Sequence, residues 1–292
     1  MTVTSQFQQI LPAPLVGKHG WPWDVTPVER ADELTCWPKI SIVTPSYNQG
    51  QFLEQTIRSV LLQNYPNLEY IIIDGGSTDE SVEIIRRYEP WLSYWVSEPD
   101  RGQSHAINKG FARASGEIMA WLNSDDYYAP DTLRTAAAVL SQPSAQAMVG
   151  HTMAVFQDGR APVLGRGEYE SRLRILKFWK GYRMHQPSIF WRRALFEKVG
   201  LLREDLHQIM DFDYWLRMAE HVDFVNVDQV LSYCNQHPAA KTSDNCAQAR
   251  RDMWMSRHEY WGAKWSRDYW ELQASAVKYR IIRPALERLG LV

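Results

Sequence analysis

The sequence predicts an α/β domain with a doubly wound, mostly parallel sheet. Two observations predict this class: short apolar runs alternate with helical patterns, and polar side chains directly follow the predicted strands. Parallel strands are covered by helices, so they read as almost continuous apolar runs. Because ligands of such sheets bind beyond the carboxyl ends of the strands, we expect the chemistry at that edge.

The first half of the chain shows the alternation clearly. Apolar runs predict strands over residues 40–44, 68–73, 94–97 and 117–122. Apolar residues at positions i, i+4, i+7 and i+8 predict a helix from Leu53 to Leu61. The capping-box pair Ser77 and Glu80 predicts the start of a short helix, and a third helix is predicted over 104–114. A helix therefore follows each of the first three strands.

The second half has weaker patterns. Residues 147–157 could form a hairpin, and residues 186–191 are typical of a strand. Apolar spacing predicts a helix over 210–220 with one buried face. These patterns predict three segments, which are a proline-rich arm (1–39), a globular domain (40–240) and a helical C-terminal extension (241–292).

Composition excludes several classes of protein. The chain has 292 residues, 45% of them apolar, which is enough for a substantial core. A net charge of -2 provides no basic field for a nucleic acid polymer. Three cysteines form no disulfide framework, which predicts a cytoplasmic location. Neither a secretion signal nor an apolar run long enough to span a membrane is present.

Residues 121–127 (WLNSDDY) contain the strongest chemical signal. Asp125 and Asp126 directly follow the apolar strand 118–122, and adjacent carboxylates of this kind bind hard cations that accompany substrate phosphates. The alternative is that Asp126 caps the next helix. Polar clusters also follow the other predicted strands, which favours a site at this edge of the sheet. Cys234, His237 and Cys246 could be considered as zinc ligands, but no further close Cys or His pair completes a four-ligand set.

The chain resembles the family 2 glycosyltransferases in five segments, which occur in the family's order and spacing: ISIVTPSYNQ, EYIIIDGGSTDES, SEPDRGQSHAINKGF, WLNSDD and MDFDYWLR. The resemblance covers residues 38–235 and is to the bacterial branch that builds O-antigen and other surface polysaccharides. It implies the GT-A fold and inverting transfer of a sugar from a nucleotide-diphosphate donor to an acceptor hydroxyl. It also implies a divalent cation, Mn²⁺ or Mg²⁺, a nucleotide-binding half (40–126) and an acceptor half (127–240).

The resemblance further implies roles for individual residues. The implied donor-binding residues are Pro45, Ser46, Tyr47, Asp74, Asp100, Arg101, Asn108, Lys109, Asn123 and Ser124. Asp125 and Asp126 match the metal-binding acids. His185 and Gln186 match a position on the acceptor side or near the diphosphate, with a structural role as the alternative for His185. Asp74 is expected to contact the base, with a turn residue as the alternative. Asn123 stands where the family most often has Asp, so metal affinity should fall if that position holds the ion.

The reaction also needs a general base for the acceptor hydroxyl. Two acids in MDFDYWLR compete for this role. Asp213 has Arg217 at i+4, the spacing of a helical ion pair. Asp211 has Tyr214 and Trp215 at those spacings, so it can cap the helix or point into the cleft. The family's catalytic acid also aligns with Asp211, which we predict to be the base.

Two other functions were weighed. A nucleotidyltransferase should show a glycine-rich basic phosphate loop, and residues 44–51 (TPSYNQGQ) contain no Lys or Arg. A degenerate domain that binds nucleotide sugar or glycan without turnover has only Asn123 in its favour. The acceptor is expected to be a glycan or a lipid-linked molecule. Residues 250–292 carry nine basic residues, five acids and four tryptophans, which predicts either peripheral contact with the inner face of the cell membrane or packing on the protein.

Overall fold

The structure is a computed structural model, and it describes residues 11–13, 17–24, 36–181, 183–238, 240, 252–253 and 267–278. The strands are β1 (Ile40–Ser46), β2 (Leu68–Asp74), β3 (Tyr94–Ser97), β4 (Ile118–Trp121), β5 (Asp126–Tyr128), β6 (Ala147–Phe156), β7 (Val163–Gly165), β8 (Ile189–Arg192) and β9 (Val225–Gln236). The α-helices are α1 (Gly50–Leu61), α2 (Ser81–Tyr88), α3 (Gln103–Arg113), α4 (Thr132–Leu140), α5 (Arg172–Leu176), α6 (Arg193–Val199), α7 (Met210–Met218) and α8 (Arg267–Val277). Short 3₁₀ turns occupy Glu89–Trp91, Phe178–Lys180 and Gln186–Ser188.

Within the described residues the strands form one sheet, in the order β3-β2-β1-β4-β8-β6-β9-β5, with β7 paired to β6. The first four strands are parallel, and β6 and β9 run in the same direction. Strands β5, β7 and β8 run the opposite way. The predicted α/β class, with a mostly parallel central sheet and flanking helices, is therefore confirmed.

Three local predictions differ from the structure in detail. Residues 147–157 were predicted as a hairpin, but β6 is a single long strand and its hairpin partner is β7. The segment predicted as a strand over 186–191 begins with a 3₁₀ turn, and β8 starts at Ile189. Helix α2 begins at Ser81, and the side chain of its N-cap residue, Glu80, makes no capping hydrogen bond. The hydroxyl of Ser77 donates to Asp74 instead, because the turn after β2 uses that group.

A buried aromatic cluster lies at the centre of the sheet. Trp121, the last residue of β4, stacks on Trp215 of α7 with ring centroids 5.1 Å apart and an interplanar angle of 11°. Trp191 of β8 meets both rings at 5.7 Å. All three side chains are fully buried. The strand end that leads into residues 123–126 is thus fixed by tight packing of large rings.

The described part of the N-terminal arm lies against the domain. The guanidinium of Arg58 on α1 donates to the carbonyl oxygens of Pro12, Pro22 and Trp23, at 2.8, 3.1 and 3.2 Å. The indole of Trp21 donates to the carbonyl of Tyr128 in β5 at 2.7 Å. Both contacts join the arm to elements that border the acid pair.

The C-terminal extension is described over 252–253 and 267–278. Glu271 of α8 forms an ion pair with Lys177, which follows α5, so this helix contacts the domain. Trp270 and Val277 are 54% and 47% exposed. Most of the predicted basic tail, together with Cys246, lies outside the described residues. In the part of the chain that the structure describes, no helix combines the length and apolar character needed to cross a membrane.

Candidate active site

A cavity of ≈ 1070 Å³ opens at the sheet edge where β1 and β4 end. Eleven of the fifteen residues singled out from the sequence line it: Pro45, Ser46, Tyr47, Asp100, Asn123, Ser124, Asp125, Asp126, His185, Gln186 and Asp211. These residues come from positions far apart in the chain. The parallel sheet brings them together because its strand ends meet at one edge.

One side of the cavity is formed by the end of β1 and the loop after β3. The hydroxyl of Ser46 is buried and has no hydrogen-bond partner among the described residues, whereas Tyr47 is 62% exposed. A Cβ atom added to Gly75 would lie 2.7 Å from the carboxylate of Asp100. Only glycine at position 75 lets the turn after β2 approach the loop after β3 so closely.

Four of the fifteen residues do not line the cavity. Two of them, Asp74 and Lys109, hold the end of β3. The buried carboxylate of Asp74 accepts hydrogen bonds from the hydroxyls of Ser77 and Ser97, at 2.5 and 2.7 Å, and from backbone amides of the turn after β2. Lys109 of α3 forms an ion pair with Glu98 at 2.7 Å. Neither side chain lines the cavity, and Asp74 performs the turn role that was its alternative interpretation.

The other two residues that do not line the cavity, Arg101 and Asn108, hold the segment that precedes α7. Arg101 directs two nitrogen atoms at one carboxylate oxygen of Glu204, at 3.0 and 2.7 Å. The amide of Asn108 exchanges two hydrogen bonds of 2.9 Å with the backbone of Leu202. These contacts position the loop that leads to α7, and they place both side chains outside the cavity lining.

The acid pair lies at the turn from β4 to β5, and Asp126 is the first residue of β5. Asp126 is only 4% exposed, and the nearby side chains of Cys234 and Asn123 offset its burial only in part. Burial and the charge of Asp125 together raise the pKa of Asp126 well above its usual value. The Asp125 carboxylate is half-buried, and one of its oxygens lies 3.3 Å from the Nε2 atom of His237. Two adjacent carboxylates are thus held in the cavity wall with little compensating positive charge.

This arrangement fits a hard divalent cation. Carboxylate oxygens are the donors that Mg²⁺ and Mn²⁺ prefer, and a cation would relieve the repulsion that raises the pKa of Asp126. The described residues contain no group of three or more His, Cys, Asp or Glu side chains that could hold a metal ion. These described residues supply part of a coordination shell, and substrate phosphate oxygens and water suit the remainder.

Sequence reasoning missed the environment of the acid pair. Strand β9 was not predicted, and it places Cys234 opposite Asp126 in an antiparallel pairing with β5. His237, just after β9, reaches Asp125 across 112 residues of sequence. These two residues were considered only as zinc ligands together with Cys246. No local pattern links them to the acids, because the contact depends on sheet pairing.

The two acids of α7 have opposite environments. Asp211 lies in the first turn, is half-buried and lines the cavity, and its carboxylate accepts a hydrogen bond from the amide of Phe212 at 2.8 Å. Asp213 is fully buried and forms the ion pair with Arg217 that the i+4 spacing predicts, at 2.9 Å. Of these two acids, Asp211 lines the cavity and Asp213 does not.

The far side of the cavity is less polar. Ala154, Phe156 and Val163 from the β6 and β7 pair line it, next to His185. Burial lowers the pKa of His185, and the nearby His151 lowers it further. His185 is thus suited to be neutral near pH 7.

Comparison with known proteins places the chain in a family. The model of glycosyl transferase family 2 matches residues 41–200, more than half of the chain. An uncharacterized glycosyltransferase of Mycobacterium tuberculosis is 34% identical over 204 residues, which cover 68% of this chain and 75% of that protein. A putative teichuronic acid biosynthesis glycosyltransferase of Bacillus subtilis, TuaG, is 36% identical over 131 residues, covering 43% of this chain and 52% of that protein.

Solved structures share the fold. The mannosyltransferase PcManGT from Pyrobaculum calidifontis, in complex with GDP-Man and Mn²⁺, is similar with a TM-score of 0.62 and 22% identity, covering 90% of this chain and 74% of that one. S. aureus TarS 1-349 in complex with UDP-GlcNAc has a TM-score of 0.58 and 18% identity, covering 82% and 71%. In another TarS structure this chain spans 42% of the length. The protein therefore belongs to glycosyltransferase family 2 and has the GT-A fold.

Proposed function

We propose that the protein transfers a sugar from a nucleotide-diphosphate donor to an acceptor hydroxyl, with inversion at the anomeric carbon. The observation that carries this proposal is that the acid pair Asp125 and Asp126 and the separate acid Asp211 line one cavity. The acid pair suits the binding of a cation that also binds phosphate, and Asp211 suits the role of proton acceptor. The named activity of the Bacillus relative supports a role in bacterial surface polysaccharide, O-antigen or glycolipid synthesis.

The donor is proposed to lie on the side built from residues 40–126. The buried hydroxyl of Ser46, which has no hydrogen-bond partner among the described residues, and the exposed ring of Tyr47 would contact the nucleotide there. The GDP-Man and UDP-GlcNAc complexes of proteins with the same fold support a nucleotide sugar as the donor. Asp125 and Asp126 would hold Mn²⁺ or Mg²⁺, which when bound would neutralise charge on the departing diphosphate.

Asp211 is proposed as the general base. The acceptor oxygen attacks the anomeric carbon while the bond from that carbon to the diphosphate oxygen breaks. The proton of the acceptor hydroxyl passes to the carboxylate of Asp211. A single displacement of this kind, with the acceptor and leaving group on opposite faces of the sugar, inverts the anomeric centre.

The acceptor is proposed to lie on the side built from residues 127–240, near His185 and Gln186. The apolar side chains of Phe156 and Val163 on this side suit a sugar face or a lipid-linked acceptor. On α8, Trp270 and Val277 stand seven residues apart and are exposed, which supports peripheral contact with a membrane surface. Flotation with anionic liposomes tests that contact, and a Trp270→Ser, Val277→Ser variant that floats equally well would remove it.

The first test is thermal stabilisation by UDP, GDP, dTDP and CMP, each with and without Mn²⁺ or Mg²⁺. A nucleotide that binds the folded state raises its melting temperature by mass action. We expect metal-enhanced stabilisation by one nucleotide, and loss of that enhancement in Asp125→Ala. Sugar transfer from the matching donor, with the product's anomeric configuration determined by NMR, then tests inversion. Binding without transfer or donor hydrolysis would instead indicate a domain that binds nucleotide sugar without turnover.

A further inference from the structure

Three side-chain amides form a hydrogen-bonded chain along the lining of the cavity. The Nε2 atom of Gln103 donates to the Oδ1 atom of Asn123 at 2.7 Å. The Nδ2 atom of Asn123 donates to the Oε1 atom of Gln186 at 3.2 Å. The Nε2 atom of Gln186 donates to the backbone carbonyl of Trp121 at 2.7 Å. We call Gln103, Asn123 and Gln186 the amide relay.

The direction of every bond in the amide relay follows from its last member. A backbone carbonyl can only accept, so Gln186 must turn its NH₂ group toward Trp121 and its oxygen toward Asn123. Asn123 must then turn its NH₂ group toward Gln186 and its oxygen toward Gln103. Gln186 is 8% exposed, and Trp121 is fixed in the aromatic cluster. The orientation of Asn123 is therefore set by rigid, buried parts of the fold.

An aspartate at position 123 could not make these contacts. An ionised carboxylate only accepts hydrogen bonds, so it would place an oxygen against the oxygen of Gln186. If Gln186 turned over, its own oxygen would face the carbonyl of Trp121. Either arrangement leaves a buried polar group unsatisfied. A carboxylate there would also be a third negative charge beside Asp125 and Asp126.

We propose that Asn123 is a positioning residue whose amide, rather than a carboxylate, is required because it joins the acid pair to the acceptor-side residue Gln186. This inference rests on the proposed transferase function. The backbone carbonyl of Asn123 also accepts a hydrogen bond from the backbone amide of Asp126 at 3.1 Å, so a single residue contacts both the buried acid and the relay. Gln103, at the first position of α3, belongs to the donor side, and Gln186 belongs to the acceptor side. The amide relay thus sets the spacing between the two halves of the cavity.

The deciding experiment is Asn123→Asp, which restores the residue most common in the family. If Asn123 were a weakened metal ligand, the aspartate would keep or raise activity. The amide relay predicts a loss of about tenfold or more in kcat/KM. A buried polar group left without a hydrogen-bond partner costs a free energy that corresponds to about this factor. Activity is measured at saturating Mn²⁺, so a change in metal affinity alone does not alter the result. We expect the larger change in the acceptor KM, because Gln186 lies on that side.

Asn67→Asp is the matched control. Asn67 is exposed and bonds to the carbonyl of Trp37, away from the cavity lining, so this variant adds the same charge without touching the relay. It should retain the wild-type kcat/KM. Melting temperatures of both variants show whether each is folded. Wild-type or higher kcat/KM in a folded Asn123→Asp variant would overturn the proposal.

Gln103→Glu provides a second test that does not depend on the stability of Asn123→Asp. An acid at the first position of α3 is favourable to that helix, so the variant is expected to fold. A glutamate cannot donate to Asn123, and the amide relay predicts the same rise in acceptor KM. A double-variant cycle of Asn123→Asp with Gln186→Met completes the test. The relay predicts that the second change adds little to the first, and multiplication of the two losses would overturn it.

These outcomes are distinct from failure of the transferase proposal. If the wild-type protein neither binds a nucleotide with metal nor transfers sugar, the proposed function fails before any variant is compared. If the wild type is active and Asn123→Asp is equally active, the function stands and the amide relay fails. Slow exchange of the Gln186 side-chain amide protons in NMR, with faster exchange in Asn123→Asp, would support the relay without an activity assay, and equally slow exchange in both proteins would contradict it.

Discussion

Two buried acids at opposite edges of the same sheet have opposite chemical environments. Glu69, near the start of β2, accepts hydrogen bonds from Lys39, Ser41 and Ser115. Burial alone would raise the pKa of Glu69, but these hydrogen bonds outweigh it and lower the pKa to about 2. At the other edge, burial and the neighbouring carboxylate raise the pKa of Asp126. The hydrogen bonds around Glu69 outweigh the cost of its burial, whereas the groups around Asp126 do not.

The difference separates a structural acid from a functional one. An acid that the fold surrounds with donors stabilises the folded state and has little capacity left for a ligand. An acid pair kept with little compensation in a cavity wall makes the folded state less stable until a cation arrives. Burial alone therefore does not indicate function, and the supply of hydrogen-bond donors around each carboxylate does.

The largest effect is expected for the acid that lies in the cavity on α7. Asp211→Asn removes the proposed base, and general bases contribute about 10²–10⁴-fold to the rate. We expect kcat to fall by that range while the melting temperature changes little. Asp213→Asn should do the reverse, because it disrupts the buried ion pair with Arg217 and leaves the cavity intact. Steady-state kinetics with thermal melts on both variants measure this, and a fully active Asp211→Asn would reject our assignment.

The satisfied acid gives the next largest effect. Glu69→Gln should lower the free energy of unfolding by about 2 kcal/mol at neutral pH, since several charge-assisted hydrogen bonds are lost. The folded pKa of about 2 lies below the ordinary value of 4.5. The stabilisation is therefore present above pH 4.5 and is lost as the pH falls toward 2. The free energy of unfolding, measured with urea across this pH range, should depend less on pH in the variant than in the wild type. The same pH dependence in both proteins would contradict the stabilising role of Glu69.

A smaller effect is expected for Thr56, whose hydroxyl binds the backbone at the acid pair. The buried hydroxyl of Thr56 on α1 is shared between the carbonyl oxygens of Ser124 and Asp126, at 2.9 and 2.6 Å. Thr56→Val keeps the shape but leaves both carbonyls unsatisfied, so we expect a loss of about 1–2 kcal/mol in stability and a higher Mn²⁺ concentration for half-maximal activity. Thr56→Ser should restore both. An unchanged Mn²⁺ dependence in the valine variant would show that the loop does not need this support.

The smallest effect is an increase in stability. Because the folded pKa of Asp126 is raised, its ionised form destabilises the folded protein at neutral pH. Asp126→Asn should raise the melting temperature without metal by about 2–4 °C for each kcal/mol relieved, and should abolish the stabilisation by nucleotide and Mn²⁺. The same carboxylate-to-amide change at Glu69 lowers stability. A lower melting temperature for Asp126→Asn would remove the contrast between the two edges.

Local sequence predicted the parts of the molecule whose contacts are local. The first four strands are continuous apolar runs, and the polar groups after them were expected at one edge, where most of them line the cavity. The ion pair of Asp213 with Arg217 follows from helical spacing alone. The choice between the two acids of MDFDYWLR therefore could be argued before the structure.

The remainder depends on pairing between distant segments. Strand β9 reads VNVDQVLSYCNQ, without a clean alternation, and its pairing with β6 is irregular near His151. Thr56 meets the acid pair across about seventy residues, and nothing near it in sequence marks that contact. Asn108 and Arg101 were assigned to the donor because they lie in a family motif, and no local pattern indicates the contacts that both make with the loop before α7.

The contact between Arg58 and the N-terminal arm bears on where the chain can be shortened. A fragment limited to the family match, residues 41–200, would leave the guanidinium of Arg58 without the three carbonyls that it binds in the intact protein. It would also lack α7 and β9, and with them Asp211 and the strand that pairs with β5. In that fragment Arg58 would keep only its hydrogen bond to the hydroxyl of Tyr88 among these contacts, and a buried cation that loses most of its partners is strongly destabilising. Fragments for crystallisation or display should therefore begin before Pro12 and extend beyond His237, because the folding unit is larger than the family signature.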